Sequence, residues 1–400
     1  MAYLDHAATT PLRPEARAAL DAHLGIVGNA SSLHTGGRAA RRVVEEARES
    51  IAADLGARPS EVVFCGGGTE ADNMAVKGLL WARSATGTRR IVCSPLEHHA
   101  VLDPVRWLVG SGQAEVSWVA VDAVGRVTPD ALAAALAAGS NGAVDVALAT
   151  CMWANNEVGT VSPIAALAGV AADAGVPFHS DAVQAVGQVP VAFCSSGVDA
   201  LTVTSHKVGG PLGIAALLLR PGTPLTPLSH GGGQERDVRS GTLDPPAAAG
   251  FAAALHAAVV EQAAYARRVG ALRDELVRGV LAAVPDAILN GEPDLDAGPN
   301  AGRLPGNAHF SFPGCEGDAL LMLLDARGVE CSTGSACSAG VARPSHVLLG
   351  MGADPVLARS SLRFSLGHST TVDEVAAAVR EIGSAVERAR RAGSLAASRG

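Results

Sequence analysis

The sequence predicts an α/β protein with a mainly parallel central sheet flanked by helices, followed by a smaller α+β domain. Its 400 residues, 48% of them hydrophobic, can bury a large core, and the length favours two to three domains. Between residues 61 and 219, short apolar runs alternate with segments of helical periodicity, which indicates parallel strands joined by crossover helices. Beyond residue 245, a long Ala-rich segment precedes further strand patterns, which indicates the smaller domain.

The individual elements follow from local periodicity and from the positions of Gly and Pro. Helices are predicted at about 14–24, 38–55, 71–81, 129–137, 164–174, 247–284 (broken near Gly270), 316–327 and 372–392. Strands are predicted at about 61–65, 90–94, 116–120, 144–151, 176–180, 200–204, 213–219, 307–312, 329–331 and 361–366. The predicted domains are an N-terminal arm at 1–15 that packs with the small domain, a large domain at 16–250, a small domain at 251–392 that carries a loop at about 331–343, and a disordered tail at 393–400.

Composition argues against several classes of function. A net charge of −8 with only 18% charged residues offers no basic surface for nucleic acid. The first residues lack a basic region followed by an apolar run, and we find no apolar stretch of about 18 uncharged residues, so we expect neither secretion nor a membrane span. Seven scattered cysteines without CxxC spacing are typical of reduced thiols in a cytoplasmic protein, rather than of disulfides or a structural zinc site.

Polar side chains follow several of the predicted strands. Lys207 comes shortly after the strand at 200–204, and a lone lysine in such a glycine turn more often lies on the surface. His98, Asn156, Asp181 and Gln184 follow other strands in the same way. Because the carboxyl ends of parallel strands meet at one edge of a sheet, we expect these groups to converge on one ligand site.

A glycine-rich turn at 66–68 separates the strand at 61–65 from the next helix and leads into Thr69. Bare backbone N–H groups at a helix N-terminus bind anions, so this turn is a candidate phosphate site. The turn is neither a Walker loop nor a GxGxxG motif, so nucleoside phosphates are not favoured. By itself such a turn is structural as often as it is functional.

Taken together, these groups match the needs of pyridoxal 5'-phosphate. A lysine amine can bond to its aldehyde, hydroxyl and backbone donors can bind its phosphate, and a carboxylate can keep its ring nitrogen protonated. Lys207 and Asp181 fill the first and third of these needs, and Thr69, Thr204 and His206 fill the second.

Eight short motifs then identify a family. They are YLDHAATT at 3–10, GGTE at 67–70, EHHAV at 97–101, NNEVG at 155–159, HSDAVQ at 179–184, SHK at 205–207, RSGT at 239–242 and STGSAC at 332–337. Their order and spacing resemble those of the cysteine desulfurases, which are fold-type I, class V aminotransferase-like enzymes that use pyridoxal 5'-phosphate. The resemblance runs from Tyr3 to about residue 390.

The resemblance implies roles around the cofactor ring. Lys207 resembles the Schiff-base lysine and proton shuttle, and His98 is similar to the histidine that stacks on the ring. His98 is also a candidate for acid–base work on the substrate thiol, which the near-neutral pKa of an ordinary histidine permits. Asp181 resembles the partner of the ring nitrogen, and Gln184 resembles the donor to the ring hydroxyl.

The same resemblance implies a shared phosphate site. Thr69, Thr204 and His206 resemble the phosphate ligands of one subunit, and Gly68 is also expected to bind the cofactor. Thr242 resembles the residue that reaches over from the other subunit of a homodimer.

On the substrate side, Asn156 and Arg363 match the residues that hold the substrate carboxylate, and Asn156 also belongs to the cofactor site. Asn29 is a further expected substrate contact. His6 stands where the family often has asparagine, and Ala30 replaces a frequent proline, so this sequence departs from the family pattern near the substrate.

Cys337 lies in a run of small residues, so we expect it to be exposed and to act as a nucleophile. The resemblance, in its housekeeping iron–sulfur branch, implies that L-cysteine becomes L-alanine while its sulfur forms a persulfide on Cys337. The persulfide would then pass to an iron–sulfur scaffold or another acceptor, including tRNA thiolation. Cys331 is expected to be a buried residue at a strand end, and a resolving or regulatory thiol is the alternative.

Three alternatives remain open at this point. A selenocysteine lyase or another class V aminotransferase-like enzyme would share the cofactor site but would not need Cys337. A non-catalytic scaffold or redox sensor would bind no chromophore and would not need Lys207. A metal site built from His98, His99 and Cys337 lacks the usual ligand spacing.

Overall fold

The computed structural model describes residues 1–84, 87–139, 142–295, 302–334 and 344–397. In these ranges the α-helices are α1 (Pro14–His23), α2 (Thr35–Asp54), α3 (Gly68–Ser84), α4 (His99–Gly110), α5 (Pro129–Ala137), α6 (Ile164–Asp173), α7 (Phe193–Ser196), α8 (Pro245–Ala283), α9 (Gly317–Asp325), α10 (His346–Gly350), α11 (Pro355–Arg359) and α12 (Val372–Ala397). The strands are β1 (Ala2–Tyr3), β2 (Val62–Cys65), β3 (Arg90–Cys93), β4 (Glu115–Trp118), β5 (Val146–Thr150), β6 (Phe178–Asp181), β7 (Ala200–Thr204), β8 (Ala215–Leu219), β9 (Ile288–Leu289), β10 (Asn307–Ser311), β11 (Val329–Glu330) and β12 (Ser361–Ser365).

The large domain is built on a sheet with the order β2-β8-β7-β6-β5-β3-β4. Strand β8 runs antiparallel to both of its neighbours, and the other adjacent strands run parallel. Every residue of β5, β6 and β7 is buried, as expected when helices cover both faces of a sheet. The predicted mainly parallel α/β fold is confirmed.

The smaller domain is formed around β10, which pairs antiparallel with β12 and β9. Phe310, Phe312 and Phe364 form its core with side chains of α9 and α12. The N-terminal segment joins this domain, because β1 pairs parallel with β11 and Asp5 bridges to Ser365. The first residues of the chain therefore contact the smaller domain.

Helix α8 corrects two predictions. It is continuous, so the predicted break near Gly270 is wrong. The predicted domain boundary at 250/251 also falls inside this helix. Its side chains from Ala247 to Ala258 belong to the core of the large domain, and those from Val269 to Val280 belong to the core of the small domain. One helix thus contributes to both cores, which local composition cannot reveal.

The sequence led us to expect no apolar segment long enough to span a membrane, and helix α8 differs from that expectation. By length and composition alone it could cross a membrane. It packs against α1, α2 and α12, and most of its large apolar residues lie in the two protein cores.

Other differences concern element ends. Helix α3 begins at Gly68, not at 71, and strand β5 is preceded by a 3₁₀ turn over residues 142–145. The sequence-based prediction missed α4, α7, α10 and α11 as well as the short strands β1 and β9. Helix α12 continues to Ala397, so the tail predicted to be disordered from 393 is helical over most of its length.

Candidate active site

A pocket of about 1000 Å³, counted to its open mouth, lies at the carboxyl edge of the sheet. Strands β2, β3, β5, β6 and β7 run in the same direction, so the segments that follow them reach this edge together. Ten of the predicted site residues line it: Gly68, Thr69, His98, Asn156, Asp181, Gln184, Thr204, His206, Lys207 and Arg363. The structure therefore brings together the polar groups that the sequence placed after separate strands.

Lys207 lies in the turn after β7, with its side chain partly buried. Its Nζ donates hydrogen bonds to the carbonyl oxygens of Ala7 at 2.5 Å and Ala8 at 2.7 Å. Burial and, to a lesser extent, the positive charge of Arg363 lower the pKa of Lys207 to about 8, while the charges of Asp5 and Asp181 oppose the shift. About a tenth of the amine is therefore neutral at pH 7, far more than for an ordinary lysine, and the neutral form is the one that a nucleophilic lysine requires.

Two buried carboxyl groups line the pocket wall. Asp181 ends β6 and accepts a hydrogen bond from the backbone N–H of Val183 at 2.8 Å. Burial raises the pKa of Asp181 to about 6, although the charge of Lys207 lowers it. Asp72, on α3, is 1% exposed, and its Oδ1 has no hydrogen-bond partner. Burial, and then the charge of Asp181, raise the pKa of Asp72, so a cation at this wall would stabilise the ionised pair.

Behind this wall, a hydrogen-bond network crosses the sheet. His179 Nδ1 lies 2.9 Å from Thr150 Oγ1, and its Nε2 lies 3.1 Å from Thr202 Oγ1 and 3.6 Å from Asp72 Oδ1. Burial lowers the pKa of His179 to about 3, so the ring is neutral. Neither Asp72 nor the role of His179 was predicted from the sequence. The two-residue periodicity of a strand could have indicated the role of His179, because His179 and Asp181 are two residues apart on one strand and so lie on the same face.

His98 occupies the N-cap of α4. Its Nδ1 accepts a hydrogen bond from the backbone N–H of Ala100 at 3.1 Å, which puts the ring proton of the neutral form on Nε2. Burial lowers the pKa of His98 to about 4, and the charge of Lys207 adds to this. At neutral pH the ring is therefore uncharged, and its Nε2–H is available to donate.

The opposite end of the pocket is suited to an anion. Thr69 lies in the first turn of α3, where backbone N–H groups have no helical partner. The neighbouring carboxylate of Glu70 is engaged elsewhere, by the N–H of Gly66 at 2.6 Å and by Arg239 at 2.8 Å. Thr204 and His206 complete this end of the pocket. These contacts leave the Thr69 turn free to bind a phosphate.

Arg363, on strand β12 of the small domain, and Asn156 together form one wall of the pocket. Arg363 is 4% exposed and donates to the backbone oxygen of Asn156 at 2.9 Å and to Asp5 at 2.8 Å. The Nε of Arg363 and the Oδ1 of Asn156 have no hydrogen-bond partner. Buried polar atoms of this kind are costly unless a ligand pairs with them, so this wall is suited to a small carboxylate.

Gln184 lines the pocket, but its side-chain amide is hydrogen-bonded to the N-terminal segment. Its Nε2 donates to the backbone oxygen of Ala7 at 2.9 Å, the same oxygen that accepts from Lys207. The sequence motif at 3–10 was recognised, but the role of its backbone carbonyl groups was not. Ser332 and Gly334, at the start of the predicted cysteine loop, also line the pocket and were not predicted to do so.

Two of the predicted residues that the structure describes, Asn29 and Thr242, do not line this pocket. Asn29 lies in an exposed turn, where its Oδ1 accepts from the N–H of Ser31, so the prediction of a substrate contact by Asn29 is not supported within one chain. Thr242 is exposed and does not reach the pocket of its own chain. Cys337 lies outside the described residues. Cys331 is described, and it is buried with a free thiol.

Comparisons with known proteins agree with this geometry. A family model described as aminotransferase class-V matches residues 2–377. The chain is 57% identical over 399 residues to an "IscS-like cysteine desulfurase" of Mycobacterium tuberculosis, and the match covers 99% of each chain. A solved structure described as a NifS-like protein superposes with a TM-score of 0.87 at 32% identity, covering 97% of this chain and 100% of that one. Another, SspA in complex with cysteine, gives a TM-score of 0.77 at 29% identity, covering 93% and 100%.

Proposed function

Because the chain belongs to the class-V aminotransferase family and, within it, to the cysteine desulfurases, we propose that it binds pyridoxal 5'-phosphate in this pocket and transfers the sulfur of L-cysteine to Cys337. The proposal rests mainly on the environment of Lys207. Its amine has a lowered pKa and lies in one pocket with a buried carboxylate, Asp181, and a buried guanidinium, Arg363.

The residues present fit the cofactor. Lys207 is an amine available to bond with an aldehyde, and the turn at Thr69 offers free N–H groups to a phosphate. Asp181 and Asp72 are so close that the charge of one opposes ionisation of the other. A protonated ring nitrogen would stabilise both in the ionised form. When bound, the cofactor supplies an electron sink that acidifies the substrate Cα–H.

The chain's own groups account for the remaining steps. Arg363 Nε and Asn156 would orient the carboxylate of L-cysteine, and Lys207 Nζ would carry the Cα proton. The Cys337 thiolate would attack the substrate sulfur, so that an S–S bond forms as the Cβ–S bond breaks. The electron pair left on the substrate takes up a proton, and L-alanine leaves.

The reach of Cys337 is compatible with this role. It follows Gly334, which lines the pocket, by three residues. Three extended residues span at most about 11 Å, so Cys337 is tethered within reach of a substrate bound beside Gly334. L-Cysteine as the substrate is supported by a similar protein, SspA, whose solved structure is a complex with cysteine.

The proposal extends to partners and compartment. A phosphate contact from Thr242 would need a second copy of the chain, which favours a homodimer. The persulfide would pass to an iron–sulfur scaffold protein or another sulfur acceptor. Cytoplasmic location is supported by the cysteines in the described part of the chain, which are all free, as expected in a reducing compartment.

The test is a comparison of purified wild type, Lys207→Ala and Cys337→Ser, with Cys194→Ser as the matched control because Cys194 is an exposed free thiol. Visible absorbance reports the bound cofactor, and alanine and sulfide are measured with L-cysteine as the only sulfur source. We expect no visible chromophore in Lys207→Ala, a chromophore without turnover in Cys337→Ser, and wild-type behaviour in Cys194→Ser. Full sulfur release by Cys337→Ser would favour a lyase that needs no enzyme thiol and would overturn the proposal.

A further inference from the structure

Glu157 is a buried carboxylate beside the pocket that the proposed reaction does not use. It lies between β5 and α6, directly after Asn156, and is 1% exposed. Its backbone is tightly held, because its N–H donates to Asn155 Oδ1 at 2.9 Å and its carbonyl oxygen accepts from Asn307 Nδ2 at 2.9 Å. The side chain thus projects from a rigid base next to the substrate-carboxylate wall.

The carboxylate contacts Ser345, the second residue after the segment 335–343. Ser345 Oγ donates a hydrogen bond to Glu157 Oε2, and Ser345 is itself 1% exposed. The same hydroxyl caps α10 by accepting from the N–H of Leu348 at 3.1 Å. The Glu157 carboxylate therefore fixes the start of α10.

The same carboxylate packs against the residue that precedes the segment. Gly334 has a φ of +79°, a conformation that favours glycine. A Cβ at Gly334 would stand 3.3 Å from Glu157 Oε2 and 3.2 Å from His309 Nε2. The backbone of Gly334 therefore lies close to the Glu157 carboxylate, with no room for a side chain between them, and Gly334 also lines the pocket.

His346 lies between the Glu157 carboxylate and the backbone that precedes His98. Its Nδ1 lies 3.9 Å from Glu157 Oε1, and its Nε2 lies 3.0 Å from the carbonyl oxygen of Glu97, the residue before His98. The residues on both sides of the segment 335–343 therefore meet at one buried side chain, which is itself anchored to the pocket wall.

We propose that Glu157 is a positioning residue for sulfur transfer, which holds both ends of the segment bearing Cys337 against the substrate-carboxylate wall. The inference rests on the proposed function, because it takes Cys337 as the sulfur acceptor. Holding the two ends of a loop together lowers the entropy cost of bringing a group within it to a bound substrate, and this raises its effective concentration.

The test separates cysteine binding from sulfur transfer. Glu157→Ala, Glu157→Gln, Ser345→Ala and the Glu157→Ala/Ser345→Ala double variant are loaded with cofactor. The dissociation constant for L-cysteine is measured by spectral titration, and single-turnover persulfide formation on Cys337 is measured by mass spectrometry. Glu61→Ala is the matched control, because Glu61 is also a buried carboxylate that accepts a backbone N–H, that of Arg58 at 2.7 Å, and it does not line the pocket.

We expect Glu157→Ala to slow persulfide formation by about 10-fold or more while the cysteine dissociation constant changes by less than about 3-fold. Glu157→Gln keeps an oxygen acceptor for Ser345 and should stay within about 3-fold of wild type. Ser345→Ala removes the contact at one end only, so it should slow persulfide formation no more than Glu157→Ala does. The double variant should be no slower than the worse single variant, because the Glu157–Ser345 hydrogen bond is already lost in each.

An unchanged persulfide rate in Glu157→Ala would overturn the inference. So would equal losses in cysteine binding and transfer, or additive effects of the two substitutions. Failure of the proposed function looks different, because the wild type itself would then form no persulfide on Cys337.

Discussion

Arg363 of the small domain and Asp5 of the N-terminal segment form an ion pair of 2.8 Å at the edge of the pocket. The pair aims the guanidinium into the pocket and leaves its Nε without a partner. Asp5 itself is held by its bridge to Ser365 on the same strand as Arg363. The N-terminal motif thus serves the site through contacts with the small domain.

Arg363→Lys should raise the KM for L-cysteine by about 10-fold or more. A lysine ammonium cannot keep the contacts with Asp5 and Asn156 while also pairing with a carboxylate, and such charged hydrogen bonds are worth roughly 1.5–3 kcal/mol. Steady-state alanine formation measures the effect. Arg359→Lys, at an exposed position on α11, is the control. An unchanged KM in Arg363→Lys would rule out the predicted carboxylate clamp.

Cofactor loading of the apoprotein should depend on pH through Lys207. Only the neutral amine reacts with an aldehyde, and the pKa of Lys207 is lowered to about 8 by burial and by Arg363. The rate of chromophore formation should therefore rise roughly 100-fold between pH 6 and pH 9. Arg363→Met should move the midpoint upward, because it removes a positive charge beside Lys207. A midpoint near the ordinary lysine value in the wild type would contradict the assignment.

Asp181→Asn should weaken cofactor binding and reduce alanine formation by about 100-fold or more, because an amide cannot stabilise a protonated ring nitrogen. The asparagine oxygen can still accept from the N–H of Val183, so the fold should persist. Asp199→Asn is the control, since Asp199 accepts a backbone N–H from Phe178 at 2.8 Å in the same way. Equilibrium dialysis and alanine assays report the two effects. Equal, small losses of cofactor binding and alanine formation in both variants would show that Asp181 has no role in binding the cofactor ring.

Glu97→Gln should stabilise the protein at alkaline pH. Glu97 is 0% exposed and accepts from the N–H of Met152 at 2.6 Å. Burial raises its pKa to about 8, and Asp181 adds to this. Since the folded state then binds more protons than the unfolded state between about pH 4.5 and 8, the free energy of unfolding contributed by Glu97 falls as pH rises through that window.

Urea unfolding should therefore show similar stability for Glu97→Gln and wild type at pH 5, and a gain on the order of 2–4 kcal/mol for the variant at pH 8.5. Glu61→Gln serves as the control for loss of a buried carboxyl group. Parallel pH profiles for Glu97→Gln and wild type would show that folding does not raise the pKa of Glu97.

Mixed dimers can show whether Thr242 acts across subunits. A Lys207→Ala chain paired with a Thr242→Ala chain regains one intact site only if Thr242 serves the neighbouring subunit. We expect such hybrids to reach about half of the wild-type activity per dimer, while each parent homodimer is impaired. Hybrids no more active than the Thr242→Ala homodimer would contradict a shared site.

The sequence predicted much of the fold and the ring-facing groups because both depend on local signals. Strand β7 and helix α5 were predicted with the ends that the structure has, from apolar runs bounded by Gly and Pro. Lys207, Asp181 and His98 were found because each follows a strand and lies in a recognisable motif. The family resemblance is confirmed by the comparisons.

Contacts distant in sequence were not predictable in this way. Nothing near Asp72 shows that it will lie beside Asp181, and nothing near Glu157 shows that Ser345 and Gly334 will meet at its carboxylate. The continuity of α8 across two cores was missed for the same reason, because Gly270 predicts a break whereas packing on both sides holds the helix together.

The sequence by itself determined the family, the α/β architecture and the amine, carboxylate and thiol chemistry, since these reside in residue types and short spacings. Only the tertiary structure decided how that chemistry is tuned. The lowered pKa of Lys207, the raised pKa of Asp181 and the placement of Arg363 arise from burial and from charges brought together by folding. Desolvation and Coulomb energies depend on distance in space, and distance along the chain does not specify them.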